Sequence, residues 1–221
     1  LVETESALSL GLRAHHPFAR GCDRVQRAGV SWERGEYEFV LESFVPFVSV
    51  PTAPIHWALA TVARAAWKLG DEAEARRWYD RAVEGGTGAV PRDIRWTRTM
   101  VELAHACADL EDEGRAQVIL DELRPVRDHH AILPTPICYA GPVRWAEARL
   151  LRLQGHLTEA KDRLEEALRD ARVMGARPAE ARILLDLAHA QQALGHTESG
   201  ARARAQGEEL ASELGLALGV G

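Results

Sequence analysis

The chain has 221 residues, 46% hydrophobic but only 6% aromatic, with 33 acidic against 27 basic side chains and a net charge of −6. That length supports one or two domains with a sizeable core, and the Ala, Leu, Arg and Glu richness favours helix over sheet. The acidic balance argues against general binding to nucleic acid or to an anionic membrane.

Residues 1–16 read as a helical tail or the end of a preceding repeat, and 17–221 as one repeat domain. Pro17 suits a helix start, and a helix follows over Phe18–Arg34 until Gly35. Glu36–Val48 is the next helix, with Val40, Phe44 and Phe47 on one face and Pro46 expected to kink it or end it early. Residues 49–54, with Pro51 and Pro54, form a connection. Ile55–Leu69 is helical, Gly70-Asp71 turns it, and Glu72–Glu84 returns with Ala75, Tyr79 and Ala82 inward. After the loop 85–90, Pro91 is expected in the first turn of a helix running to Leu110. Asp112–Arg124 returns with Ala116, Leu120 and Leu123 inward, and Pro125 stops it. Its turn residue is Glu111, where the other turns have glycine.

Residues 128–142 read as the longest irregular connection. Pro142–Gln154 and Gly155–Leu168 then form the clearest helical hairpin, with Ala160, Leu164 and Ala167 spaced four and three apart on one face. Gly175 and Pro178 break the chain, Ala179–Leu194 is helical, Gly195 turns, and Glu198–Leu214 closes the set. In that last helix Gly200, Arg204 and Gly207 occupy the inward places, a poor match that predicts fraying or a different rotation. The turn residues Gly35, Gly70, Glu111, Gly155 and Gly195 are separated by 35, 41, 44 and 40 residues. Recurrence of this length with paired helices predicts an all-α fold, a right-handed α-solenoid of about five helical hairpins.

The small–large–small sets Ala75/Tyr79/Ala82 and Ala160/Leu164/Ala167 resemble tetratricopeptide repeats. A narrower resemblance rests on His16-Pro17-Phe18, Trp32-Glu33-Arg34-Gly35, Pro91-Arg92-Asp93 with Trp96, Gly141-Pro142-Val143 and Gly175-Ala176-Arg177-Pro178. Together these are similar to the C-terminal repeat region of large bacterial signalling ATPases and transcriptional regulators, which accompanies nucleotide-cyclase or LuxR-type DNA-binding domains. The resemblance implies a regulatory, sensing or scaffolding role and no catalytic residue. The chain has no GxxxxGK[ST] loop, so the ATPase is absent from it.

In such stacks the first helix of each hairpin lines a concave groove. Residues three, six, ten and thirteen before each turn residue are expected to face it. None of these twenty is Asp or Glu, while five are Arg, two are His and four are Trp. The resulting binding set is Trp32, Trp57, Arg64, Trp67, Arg98, His105, Trp145, Arg149, Arg152, Arg182 and His189. An Arg/Trp groove suits a protein partner segment, another domain of the same regulator, or an anionic small ligand. The competing expectation is that the tryptophans pack between repeats and the arginines pair with acids of neighbouring helices. A structural oligomerisation or autoinhibitory scaffold and a small-molecule effector domain are the alternative functions.

Asp128, His129, His130 and Cys138 offer a weak metal set without a second paired-ligand element. Cys107, His105 and Asp109 fail as a nucleophile set, because residues two apart on a helix point to different faces. No enzyme activity, metal or cofactor is expected, and nucleic acid in the basic groove is a minor alternative to the protein or small-ligand readings. The three scattered cysteines, Cys22, Cys107 and Cys138, read as reduced thiols of a cytoplasmic protein. With no apolar run of membrane-spanning length, no membrane partner is expected. The start Leu-Val-Glu, without Met, reads as a fragment or a processed chain.

Overall fold

The computed structural model describes residues 2–50, 55–133 and 138–217. Residues 51–54 and 134–137, parts of two expected connections, lie outside the described residues. The fold is all-helical: α1 (Val2–Arg13), α2 (Ala19–Arg34), α3 (Tyr37–Val48), α4 (His56–Lys68), α5 (Glu72–Ala82), α6 (Trp96–Asp109), α7 (Glu113–Leu123), α8 (Val143–Leu153), α9 (Leu157–Val173), α10 (Arg177–Ala193) and α11 (Thr197–Leu214). Each helix packs against its sequence neighbour, and α4, α6 and α8 also pack in succession on one another. Among the described residues no helix is long and apolar enough to cross a membrane.

The same hydrogen-bond pattern ends the first helix of each pair. At Gly70 the amide of Asp71 reaches back to the Ala66 carbonyl at 3.0 Å; at Gly155 that of His156 reaches Leu151 at 2.9 Å; at Gly195 that of His196 reaches Gln191 at 2.8 Å. This is the Schellman closure, which requires a left-handed residue at the turn. Glu111 fulfils it at φ 53° without being glycine, and the Asp112 amide bonds Cys107 O at 3.0 Å. Asp71 and Asp112 then cap the returning helices by accepting from the amides of Glu74 and Arg115.

The inward sets of α5, α7 and α9 are buried where spacing placed them. Four expectations need correction. In α3 the buried stripe is Val40, Phe44 and Val48, while Phe47 points out and Pro46 sits inside the helix, which ends two residues later. Pro91 lies before α6, not within it: the helix starts at Trp96, after Asp93 accepts from the Arg95 amide at 2.8 Å. The connection 128–142 holds a short antiparallel ribbon, β1 (His130–Ile132) with β2 (Tyr139–Pro142), pairing His130 with Pro142 and Ala131 with Gly141. In α11 the buried stripe is Gly200, Ala203, Gly207 and Ala211, with Arg204 rotated out of it. A Cβ at Gly207 would stand 3.0 Å from the Ala181 carbonyl and one at Gly200 2.9 Å from Gln192 Cγ, so both glycines let α11 press onto the backbone of α10.

The run of helices bends until its ends touch. Glu33 of α2 accepts from Arg182 of α10 at 2.9 and 3.1 Å, and the Glu33 carbonyl accepts from the Ala217 amide at 2.9 Å. The space inside this seam is a cavity.

Candidate functional site

The cavity has a volume of about 1190 Å³ and is lined from α2, α3, α4, α6, α8, α10, α11 and the start of β2. All eleven residues of the binding set line it: Trp32, Trp57, Arg64, Trp67, Arg98, His105, Trp145, Arg149, Arg152, Arg182 and His189. Of the wider twenty positions, Cys22, Ala60, Val101 and Pro142 do not line it.

The wall is not free of acids, which corrects the charge segregation read from the sequence. Arg64 reaches Glu102 and Asp109, each at 2.9 Å, and lies 4.6 Å from the centre of the Trp32 ring. Arg98 pairs with Glu102 at 2.5 Å. Arg149 donates to the second oxygen of Asp109 at 2.8 Å and stands 3.7 Å from Asp186, which also accepts from Trp145 Nε1 at 2.6 Å. Asp109 thus joins α4 to α8 through α6. These arginines are committed to the wall. The acids escaped the sequence reading because they lie at neighbouring positions, two residues (Glu33, Asp109) or nine residues (Glu102, Asp186) before the turn residue. Those positions are one residue round the helix from the ones counted, at the edge of the same face.

Lys68, also two residues before its turn, was missed for the same reason. It lines the cavity with its ammonium 4.7 Å from the centre of the Trp67 ring and has no carboxylate partner among the described residues. Arg152 likewise has no ion-pair partner among them, whereas Arg182 has Glu33. Lining side chains number eight Lys or Arg and six Asp or Glu, so the cavity carries an excess of positive charge inside an acidic protein.

Titration follows this pattern. Burial would raise the Asp109 carboxyl, but Arg149, Arg64 and Lys68 outweigh it and hold it down at about 2. Burial, reinforced by Arg64, Arg149 and Arg182 against the opposing pull of Asp109, lowers the Lys68 ammonium to about 8. Burial and the surrounding arginines push His105 well below its ordinary value, so it is neutral at pH 7 and adds no charge to the cavity. Arg149 Nη1 lies 3.3 Å from His105 Nδ1; a guanidinium only donates, so the imidazole proton sits on Nε2. That Nε2 is buried and has no acceptor among the described residues, and the ring packs edge-on to Trp145 at 4.7 Å. Burial also lowers His189.

The Cys107 thiol faces away from this network: it bonds the Asp112 carbonyl at 3.2 Å, and burial pushes it up to about 12. His130 bonds the Tyr139 hydroxyl at 2.8 Å, and no group of three metal-ligating side chains occurs among the described residues. Comparison with protein-family models, with curated proteins and with solved structures finds no match for the chain.

Proposed function

We propose that the chain is a non-catalytic binding module, a tetratricopeptide-like α-solenoid of about five hairpins that takes an anionic ligand into its central cavity. The observation that carries this reading is the cavity itself. Its volume of about 1190 Å³ lies just above the range of about 300–1,000 Å³ usual for small-molecule sites, it is lined by four of the six tryptophans, and Lys68, Arg152 and the exposed Arg34 have no neutralising carboxylate among the described residues. A wall whose other arginines are held in place by Glu102, Asp109, Asp186 and Glu33 is preorganised, so binding an anion there costs little rearrangement. Ligand capture in a ring of packed helices can shift the balance between two arrangements of a larger assembly, which fits a sensor or interaction unit of a bacterial signalling or transcriptional regulator. The scattered thiols fit a cytoplasmic setting.

Tryptophan emission of the chain, titrated with nucleotides, sugar phosphates and acidic peptides, tests this reading. A saturable change abolished by Arg152→Glu is the expected result; an unresponsive spectrum with every anion overturns it. A second reading, oligomerisation through the N-terminal end, draws on α1, which buries no residue, and on exposed Leu10, Phe18 and Phe47 nearby in the chain. A sedimentation mass that stays monomeric at high concentration removes it.

A further inference from the structure

The cavity reading leaves open which group recognises the ligand and what chemistry that ligand carries. The arginines that dominate the sequence pattern are poor anchors. Arg64, Arg98 and Arg149 already meet carboxylates, and freeing one would strand a buried acid. Lys68 is different. It ends α4 at the mouth of the Gly70 turn, lines the cavity, and touches Trp67 and no acid.

The charged and titratable groups around Lys68 come from every wall. Its own helix supplies Arg64; α2 supplies Glu33 and Arg34; α6 supplies Asp109, Glu102, Arg98 and neutral His105, with Glu111 in the turn after it; the chain at the start of β2 supplies Cys138 and Tyr139; α8 supplies Arg149 and Arg152; α10 supplies Arg182, Asp186 and His189; α11 supplies Arg204 and Glu208. Of these acids all but the exposed Glu111 pair with an arginine. Lys68, Arg152 and the exposed Arg34 have no ion-pair partner among the described residues, and Glu111, also exposed, is the unpaired acid; two positive charges are thus uncompensated, Lys68 and Arg152 are the unpaired cations that are not exposed, and the buried Nε2–H of His105 remains as a donor without an acceptor. Two surplus cations and a spare donor in one cavity match an acceptor-only group of charge close to −2.

We propose that Lys68 is the anion-recognition residue of the cavity, and that with Arg152 it selects a small ligand carrying a phosphate monoester. This deepens the binding-module reading and rests on it. A phosphate monoester carries a charge between about −1.5 and −2 at pH 7 and three acceptor oxygens, which suits an ammonium and a guanidinium together better than a single carboxylate does. Burial and the nearby arginines hold the Lys68 ammonium at about 8, so an arriving dianion also draws a proton onto it. His105 and His189, both lowered, take up protons only in more acidic solution.

Calorimetric titration of the full chain with AMP, a hexose phosphate and inorganic phosphate, against adenosine, the free hexose and succinate, tests the assignment. Runs at pH 8 in two buffers of different ionisation enthalpy count the protons taken up. Expected are binding by the phosphate compounds only, uptake of a fraction of a proton, and weakening as pH rises from 7 to 9.5. Lys68→Met should weaken binding by roughly ten- to a hundredfold, the range of a hydrogen bond between charged groups. Lys68→Arg should keep the binding and lose the proton uptake, because a guanidinium cannot deprotonate there. Equal affinity in native chain and Lys68→Met, with the helical circular dichroism of both intact, overturns the assignment to Lys68 and leaves the cavity reading standing. Succinate binding as tightly as the phosphates overturns the ligand class. Absence of binding by every anion overturns both.

Discussion

Replacing Asp109 by Asn leaves Arg64 and Arg149 in the wall without the carboxylate they share. Breaking one side of a buried ion pair costs about 3–5 kcal/mol, so Asp109→Asn should lower the denaturant midpoint sharply while the slope stays unchanged. The carboxyl titrates near 2 in the folded chain against 3.8 ordinarily, so its stabilising contribution is complete above pH 4 and disappears as pH falls through 2. Lys68 behaves in the opposite sense. Its folded value near 8 lies below the ordinary 10.5, so between these values the unfolded chain binds more protons and stability rises with pH. Lys68→Met should therefore raise the melting temperature at pH 7, and the gain should shrink as pH approaches 10. A melting scan of both proteins across that range checks the sign.

At the level of helices and turns, Glu111 shows how a register can be kept without the usual residue. A left-handed conformation costs a side-chain-bearing residue about 1–2 kcal/mol. Glu111→Gly should raise stability by about 1 kcal/mol, and Gly155→Ala should lower it by a similar amount; urea unfolding reads both. Gly207→Val should be worse, since its Cβ would press on the Ala181 carbonyl and force α11 off α10.

These turns made the helices legible. A recurring turn residue, mostly glycine, and a small–large–small face are local signals, and they placed α4, α5, α7 and α8 to within two residues, while α9 runs to Val173, five residues past the expected Leu168. What the sequence hid was non-local or offset. The ribbon of β1 and β2 is three or four residues per strand, too short for alternation to show. Asp93, bonding the Arg95 amide beyond Pro91, moved the start of α6. Gly200 and Gly207 read as a poor inward match because their use, close approach to α10, depends on a partner helix. The cavity lining was readable from helical periodicity, but its charge balance was not, because Glu33, Glu102, Asp109 and Asp186 sit one residue beside the positions counted.

On the scale of the whole molecule, the seam at Glu33 is thin: one side-chain pair to Arg182 and one backbone bond from Ala217. Partly exposed ion pairs at the surface contribute only about 0–1 kcal/mol. Glu33→Lys should thus cost little global stability, yet it should speed hydrogen exchange of the Ala217 amide selectively. Its effect on unfolding should exceed its energy. In a linear array each unit leans only on its neighbours, so the terminal units fray independently and the middle outlasts them. Joining α2 to α10 and to the segment after α11 converts α2–α11 into a loop in which, α1 aside, no unit is terminal, and the first unit to loosen must also release the last. The native chain should therefore melt in one step, while Glu33→Lys should split that transition into an early event at the two ends and a later one centred on α4 and α6.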